Sequence, residues 1–204
     1  MSSLYNFDKE FKKSYGVKYI IGIDEAGRGP LAGPVLTAAA VLDLDDVIEG
    51  INDSKKLNEK KRNAIFPLIH AKALYKKAVA VNIDAIEKYN IRNATIRGME
   101  KCLMDCPYIN DSIILVDGDL TLRWISIEKQ KAIVKGDAKS ASIAAASIIA
   151  KVTRDQIMKK YALDYPQYSF EKHKGYGTKA HIEALAKYGL SPIHRGYFCK
   201  KFVN

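Results

Sequence analysis

The sequence has little of what would place it in a membrane, a disulfide framework or a zinc fold. No stretch approaches the run of about 20 apolar residues that a membrane-spanning helix needs. The N-terminal MSSLYNFDKEFKKSYG also lacks the apolar core of a secretion signal, so a cytoplasmic protein with no membrane association is expected. The three cysteines, Cys102, Cys106 and Cys199, have neither CxxC spacing nor a neighbouring His-x-x-x-His, which argues against a zinc site and for reduced thiols. His70, His173, His181 and His194 are too scattered to indicate a histidine metal site, and a surface or core role is expected of each. There is no GxxxxGK[ST], which removes the main support for a nucleotide triphosphatase. Internal repeats and low-complexity linkers are absent as well. Acidic residues are in deficit: 33 Lys plus Arg stand against 23 Asp plus Glu, a net charge of +10. With a pI near 9.3, that balance favours a polyanionic partner, nucleic acid before an anionic membrane surface.

What is present centres on residues 17–43, VKYIIGIDEAGRGPLAGPVLTAAAVLD. Val17 to Ile23 is a β-branched, aromatic run of strand length that delivers Asp24 and Glu25 where the apolar pattern stops. Gly27-Arg28-Gly29-Pro30 and Gly33-Pro34 follow, a stiffened turn in which glycines let backbone N–H groups approach a ligand. Val35 to Leu42 is a second apolar run, and a hairpin presenting a carboxylate pair beside Arg28 is the simplest geometry.

At 204 residues the chain fits one large α/β domain, taken here as 1–165, with a basic helical portion, 166–204, packed on it. Leu4, Phe7 and Phe11 predict a short N-terminal helix; Asn58 is an expected N-cap, and Pro67 is expected to kink or shorten the helix that follows. Ala78–Val81 reads as a short strand, and Ile91 to Leu103 as a helix in which Met99 and Cys102 pack in the core. Ile113 to Val116 is a buried-strand run that again ends in an acid, Asp117, with Gly118 behind it. Residues 119–131 read as a loop or hairpin, and Ala132–Val134 as a short strand. Asp137 precedes the helix SASIAAASIIAKVTRDQIMKKYALD, where an N-cap role competes with a site role; Asp155 is expected on its surface, paired with Lys151 or Lys159. From residue 171 onward Lys172, Lys174, Lys179, Lys187, Arg195, Lys200 and Lys201 face only Glu171 and Glu183, a basic region suited to phosphates. Within it Tyr176 stands between two glycines, ahead of a helix capped by Thr178, and is suited to stacking on a sugar or base.

Asp24, Glu25, Asp117 and Asp137 thus arrive from three segments. If they converge, four carboxylates in one cleft require cations, and an all-oxygen donor set favours Mg²⁺ or Mn²⁺ over zinc. Beside basic residues such a cluster fits two-metal phosphodiester chemistry. An inert binder of duplexes is a weaker reading, because unneutralised acids would oppose a phosphate backbone. Another nuclease on the same framework remains the third.

GIDEAGRGPLAGPV at 22–35, NDSKKL at 52–57, VDG at 116–118, KGD at 135–137, AAASIIAKVTRD at 144–155, HKGYGT at 173–178 and PIHR at 192–195 together resemble bacterial ribonuclease HII, in order over nearly the whole chain. The related ribonuclease HIII has lysine in place of Arg28 and an added N-terminal domain. The resemblance implies an α/β, ribonuclease H-like fold: a mixed β-sheet flanked by helices, with a small helical C-terminal portion. It implies endonucleolytic cleavage of the RNA strand of RNA/DNA hybrids and 5′ to single ribonucleotides in duplex DNA, leaving 5′-phosphate and 3′-hydroxyl ends. By position, Asp24, Glu25, Asp117 and Asp137 would be the metal ligands. Gly27, Arg28 and Gly29 would contact the ribonucleotide, and Tyr176 would stack on the following deoxyribose. Ser54, Lys55 and basic residues such as Lys174 would hold phosphates. A monomer without a clamp-binding tail is expected.

Overall fold

The computed structural model describes residues 3–203. Five strands form one mixed sheet in the order β3-β2-β1-β4-β5: β1 Tyr19–Ala26, β2 Val35–Val41, β3 Tyr75–Val81, β4 Ser112–Asp117 and β5 Gln130–Ile133. β1, β2 and β3 pair antiparallel, and β4 and β5 join β1 in parallel. The hairpin expected at 17–43 is therefore present. Its first strand runs further than the apolar pattern implied, so that Asp24 and Glu25 lie within β1.

Alternation along the strands divides the core in two. Ile20, Leu36, Ala38, Ala40, Ile113 and Leu115 face helices α1 Ser3–Ser14, α2 Glu59–Lys72 and α4 Ala141–Asp164. Ile21, Ile23, Ala39, Val41, Ile114 and Val116 face α3 Ile83–Leu103, where Met99 and Cys102 are fully buried. The run of small residues in α4 lets it lie hard against the sheet. A Cβ on Gly22 would meet the Ser142 backbone at 2.0 Å, so β1 and α4 touch backbone to backbone there.

Several local expectations change. α2 carries the Asn58 cap but continues through Pro67 to Lys72, because Ile65 and Ile69 are buried on either side of the proline and hold both halves to the core. α3 begins eight residues before Ile91 and breaks at Asn90 (φ 61°), whose side chain recaps the second half by accepting from the Asn93 amide. β3 and β5 start earlier than the apolar runs indicated, at Tyr75 and Gln130. Of the segment expected at 119–131, residues 119–129 form a loop with one 3₁₀ turn and the last two residues open β5; the loop is built around the buried Gln130, whose amide bonds Leu122 and Ile125. Asp155 does pair with Lys151 at 2.7 Å, but it is buried and also lies 3.9 Å from Arg62, while Lys159 goes to Glu59.

After α4 the chain turns at Tyr165-Pro166 into α5 Phe170–His173, α6 Lys179–Tyr188 and α7 Gly196–Cys199. Their apolar side chains pack with Leu31, Ala32 and Met158, so this portion grips the β1–β2 turn as well as α4. No helix among the described residues is long and apolar enough to cross a membrane.

Candidate active site

Ile23 pairs with Val116 across the parallel β1–β4 ladder, so Asp24 and Asp117 follow side by side at the sheet's carboxyl rim. By strand parity both project to the α4 face. Asp117 then captures the third acid: its Oδ1 accepts from the amides of Gly136 (2.6 Å) and Asp137 (3.3 Å). Lys135 takes a left-handed turn to allow this, and Gly136 is closely packed, since a Cβ would come 2.6 Å from Ile143 Cδ1 and 3.1 Å from Asp117 Oδ1. Asp137 is no helix cap; Ser140 caps α4 by accepting from the Ile143 amide. Asp24, Asp117 and Asp137 each offer an oxygen within 4.8 Å of the others, the one such group of His, Cys, Asp or Glu among the described residues.

Glu25 stands apart from that trio. One residue further along β1, it leaves the opposite face of the strand and pairs with Arg28 at 3.4 Å, although it lines the same cleft of about 240 Å³. Asp24 Oδ2 and Glu25 Oε2 are buried with no hydrogen-bond partner. Buried orphan carboxylate oxygens cost free energy unless a cation meets them, and together with the all-oxygen donor set they fit a hard divalent metal.

The electrostatics agree. Burial, then the charges of Glu25 and Asp117, push the Asp24 carboxyl well above the ordinary aspartate range. Burial raises Glu25 too, against the opposing pull of Arg28. Asp137 is raised by burial and Asp117, with Lys55 opposing. Burial disfavours the Lys55 ammonium, but Asp137 at 3.2 Å, with Asp24 and Asp117 beyond it, outweighs that and keeps it charged. Lys55 is the counter-ion of this cluster.

The Gly27–Gly29 turn forms one wall. Its shape is fixed from beneath by two arginines that are almost wholly buried, Arg154 of α4 and Arg195. Arg154 donates to the carbonyls of Pro34, Ala32 and Lys174. Arg195 donates to those of Gly27, Arg28 and Gly33. Gly27 is needed for this packing, because a Cβ would lie 2.0 Å from Arg154 Nε; Gly29 instead faces open space. The same arginine ties in the opposite wall, where Gly175 (φ 84°) passes so close to the Ala32 carbonyl that only glycine fits, and Tyr176 is presented half-exposed. The Arg154 guanidinium lies 5.9 Å from that ring.

Other expected residues fall differently. Ser54 lines the cleft, but its hydroxyl is engaged by Ser147 at 2.7 Å. Lys174 is buried, with its ammonium on the Glu171 carbonyl, and Arg195 is fully buried, so neither belongs to a solvent-facing basic surface. Ser147, Lys151 and Arg154 line the cleft from one face of α4, a place the sequence did not indicate for any of them, Lys151 being expected only as a partner of Asp155. Their spacing of four and then three residues was the available signal. His173, His181 and His194, scattered in sequence, meet in space: His181 Nε2 and His194 Nε2 are 3.0 Å apart, and His173 stacks on His181.

A family model described as ribonuclease HII matches residues 21–201. A ribonuclease HII of Acetivibrio thermocellus is 53% identical over 194 residues, 94% of this chain and 75% of that protein. The crystal structure of ribonuclease H2 from Pyrococcus horikoshii superposes with a TM-score of 0.75 at 26% identity, covering 91% of this chain and 97% of that one. Bst-RNase HIII in complex with Mn²⁺ shares the fold at a TM-score of 0.65 and 20% identity, covering 87% of this chain and 65% of that one.

Proposed function

The chain belongs to the ribonuclease HII family, and from that premise we propose that it cuts RNA/DNA hybrids and, further, cuts 5′ to single ribonucleotides embedded in duplex DNA. Membership makes it a metal-dependent ribonuclease H, an endonuclease acting on RNA/DNA hybrids. The observation that carries the finer reading is the shared cleft: the carboxylate trio, the Gly27–Gly29 turn and Tyr176 line or border one space.

Asp24, Asp117 and Asp137, with Glu25 at the flank, would hold two Mg²⁺ or Mn²⁺ ions. When bound, such ions lower the pKa of the attacking water and stabilise the leaving oxygen, giving 5′-phosphate and 3′-hydroxyl ends. The chain's own residues do the rest. Gly27 and Gly29 bring backbone groups to the minor groove, where a 2′-hydroxyl is the one group that separates a ribonucleotide from its neighbours. Arg28, held by Glu25 and by Arg195 on its carbonyl, adds a cation at the scissile phosphate. The Tyr176 ring packs on the next sugar, and flat packing is closest where that sugar lacks a 2′-oxygen. Lys55 and the hydroxyl of Ser54 border the path of the phosphate backbone.

The deciding experiment is incubation with Mg²⁺ and an end-labelled DNA duplex containing one ribonucleotide. Cleavage immediately 5′ to the ribonucleotide is expected. A duplex left uncut with either Mg²⁺ or Mn²⁺, while a continuous hybrid is cut, overturns the single-ribonucleotide reading.

A further inference from the structure

The three histidines are unused by the chemistry above, yet they sit directly behind the Tyr176 loop. Their hydrogen bonds admit one proton assignment. The Ser191 backbone N–H can only donate, and at 2.9 Å it meets His194 Nδ1, which must therefore carry a lone pair; the Ser191 hydroxyl, 2.7 Å from the same nitrogen, is then a second donor to it. His194 then has its proton on Nε2 and donates across 3.0 Å to His181 Nε2. His181 in turn must carry its own proton on Nδ1, where it donates to the Tyr176 carbonyl at 2.9 Å. That carbonyl also accepts from the Thr178 amide at 2.8 Å, and the Tyr176 amide donates to the His173 carbonyl. The tyrosine's peptide groups are thus pinned on both sides while its ring stays free.

We propose that His181 is a positioning residue for Tyr176, with His194 setting the tautomer that places the His181 proton on Nδ1, so that a neutral imidazole pair fixes the backbone from which the ring meets the sugar. This role rests on the reading of Tyr176 as a sugar-stacking residue. It does not touch substrate and concerns selectivity between sugars.

The surroundings keep the pair neutral. Tyr168 and Phe170 present ring faces and edges to both imidazoles, and His173 stacks on His181 at 4.5 Å. The ionisable groups bearing on the pair are the two rings themselves and His173, behind which lie Glu171 and Lys174. Burial lowers all three imidazoles, His194 to about 4. A second proton on the pair would set N–H against N–H, so the chain of bonds is complete only in the neutral form.

Two substitutions separate the links. His181→Asn keeps a donor where Nδ1 stands and breaks the bond to His194; His181→Gln keeps a polar group toward His194 and loses the donor to Tyr176. Each is assayed with Mg²⁺ on a duplex carrying one ribonucleotide and on a continuous RNA/DNA hybrid. For His181→Gln, kcat/KM is expected to fall about tenfold on the first substrate and less than about threefold on the second, while His181→Asn stays within about threefold of wild type on both. Equal losses on the two substrates, or two indistinguishable variants, overturn the role. Imidazole ¹⁵N spectra of the wild-type protein at neutral pH test it without any variant. They are expected to show His181 as the Nδ1–H tautomer and His194 as Nε2–H, and any other pairing overturns the assignment. Wild-type protein that cuts a hybrid but not a lone ribonucleotide removes the functional reading and this role together. Wild-type cleavage of both with unsplit variants removes this role alone.

Discussion

The guanidinium of Arg195 donates to the carbonyl oxygen of Arg28 at 2.9 Å, so a buried cation from the last tenth of the chain fixes the backbone of a half-buried cation near its start. Its other nitrogens hold Gly27 and Gly33. Lysine offers no fork to span three carbonyls. Arg195→Lys is therefore expected to cost about 3 kcal/mol of stability by urea unfolding, since it leaves buried carbonyls unpaired around a desolvated charge. Protein that still folds is expected to lose cleavage activity with its carboxylates intact.

Neutralising a site carboxylate separates stability from activity. Asp24 is buried, repelled by Glu25 and Asp117, and leaves Oδ2 unpaired, so its charged form is a cost to the metal-free fold. Asp24→Asn is expected to raise the melting temperature in chelator by a few degrees, to abolish the further rise that Mg²⁺ gives the wild type, and to abolish turnover. Substantial Mg²⁺-dependent cleavage by that variant would remove Asp24 from the metal site.

How much of this was written in the chain depends on whether neighbours in sequence or neighbours in space do the work. The acids at the ends of β1 and β4 stood out because apolar strands stop at them, and the hairpin followed from two such runs around a Gly-Pro turn. That Glu25 leaves the other face of β1 is a consequence of strand parity that became visible once the strand was seen to run through it. Asp137 was legible as part of a motif, whereas the reason it reaches the site is the Asp117 carboxylate bonding the amides of its loop. Arg154 and Arg195 could not be read as buried, because arginine is among the residues least often buried and nothing local marks the carbonyls they serve. The histidine cluster joins α5, α6 and the segment before α7, and no spacing rule connects them.

The revised basic surface changes what salt dependence should show. Lys172 and Lys179 are exposed, and Lys179 makes only a 3.9 Å contact with Glu183, whereas Lys174 is buried. Replacing Lys172 and Lys179 by glutamine is expected to flatten the slope of log affinity against log salt by about one to two units. Lys174→Gln is expected to leave that slope alone and to lower the melting temperature. An unchanged slope in the double variant would mark the two lysines as bystanders.

Asp8 supplies a pH dependence remote from the site. Its Oδ2 accepts from the Ser142 amide and hydroxyl at the start of α4, while Oδ1 is buried without a partner. Burial, only partly opposed by Ser140 and Ser142, raises the carboxyl to about 6. A folded pKa above the unfolded value favours the protonated native state, so this contribution is full below about pH 4 and is lost as pH rises through 6. Between those limits the shift is worth about 3 kcal/mol. Asp8→Asn has no charge to desolvate, so its stability relative to wild type is expected to improve by that order from pH 4 to 7. Parallel urea-unfolding curves for the two proteins across this range would refute it.

The sharpest test of substrate reading is the Tyr176 ring. It is half-exposed at the edge of the cleft, with its backbone pinned through His181 and Thr178 and its ring 5.9 Å from the Arg154 guanidinium. A ring that packs flat on a sugar gains most where no 2′-oxygen stands in the way, the case 3′ to a lone ribonucleotide in DNA. Within a continuous RNA strand the next sugar is a ribose, and the same ring meets a hydroxyl. Tyr176→Ala is therefore expected to cost about 1–3 kcal/mol of transition-state stabilisation on a lone ribonucleotide and distinctly less on a continuous hybrid. Tyr176→Phe keeps the face and loses only the hydroxyl, so it is expected to stay near wild type on both. Steady-state kcat/KM on the two substrates reads the difference directly. Equal losses for Tyr176→Ala would show that the residue supports its loop without reading the junction.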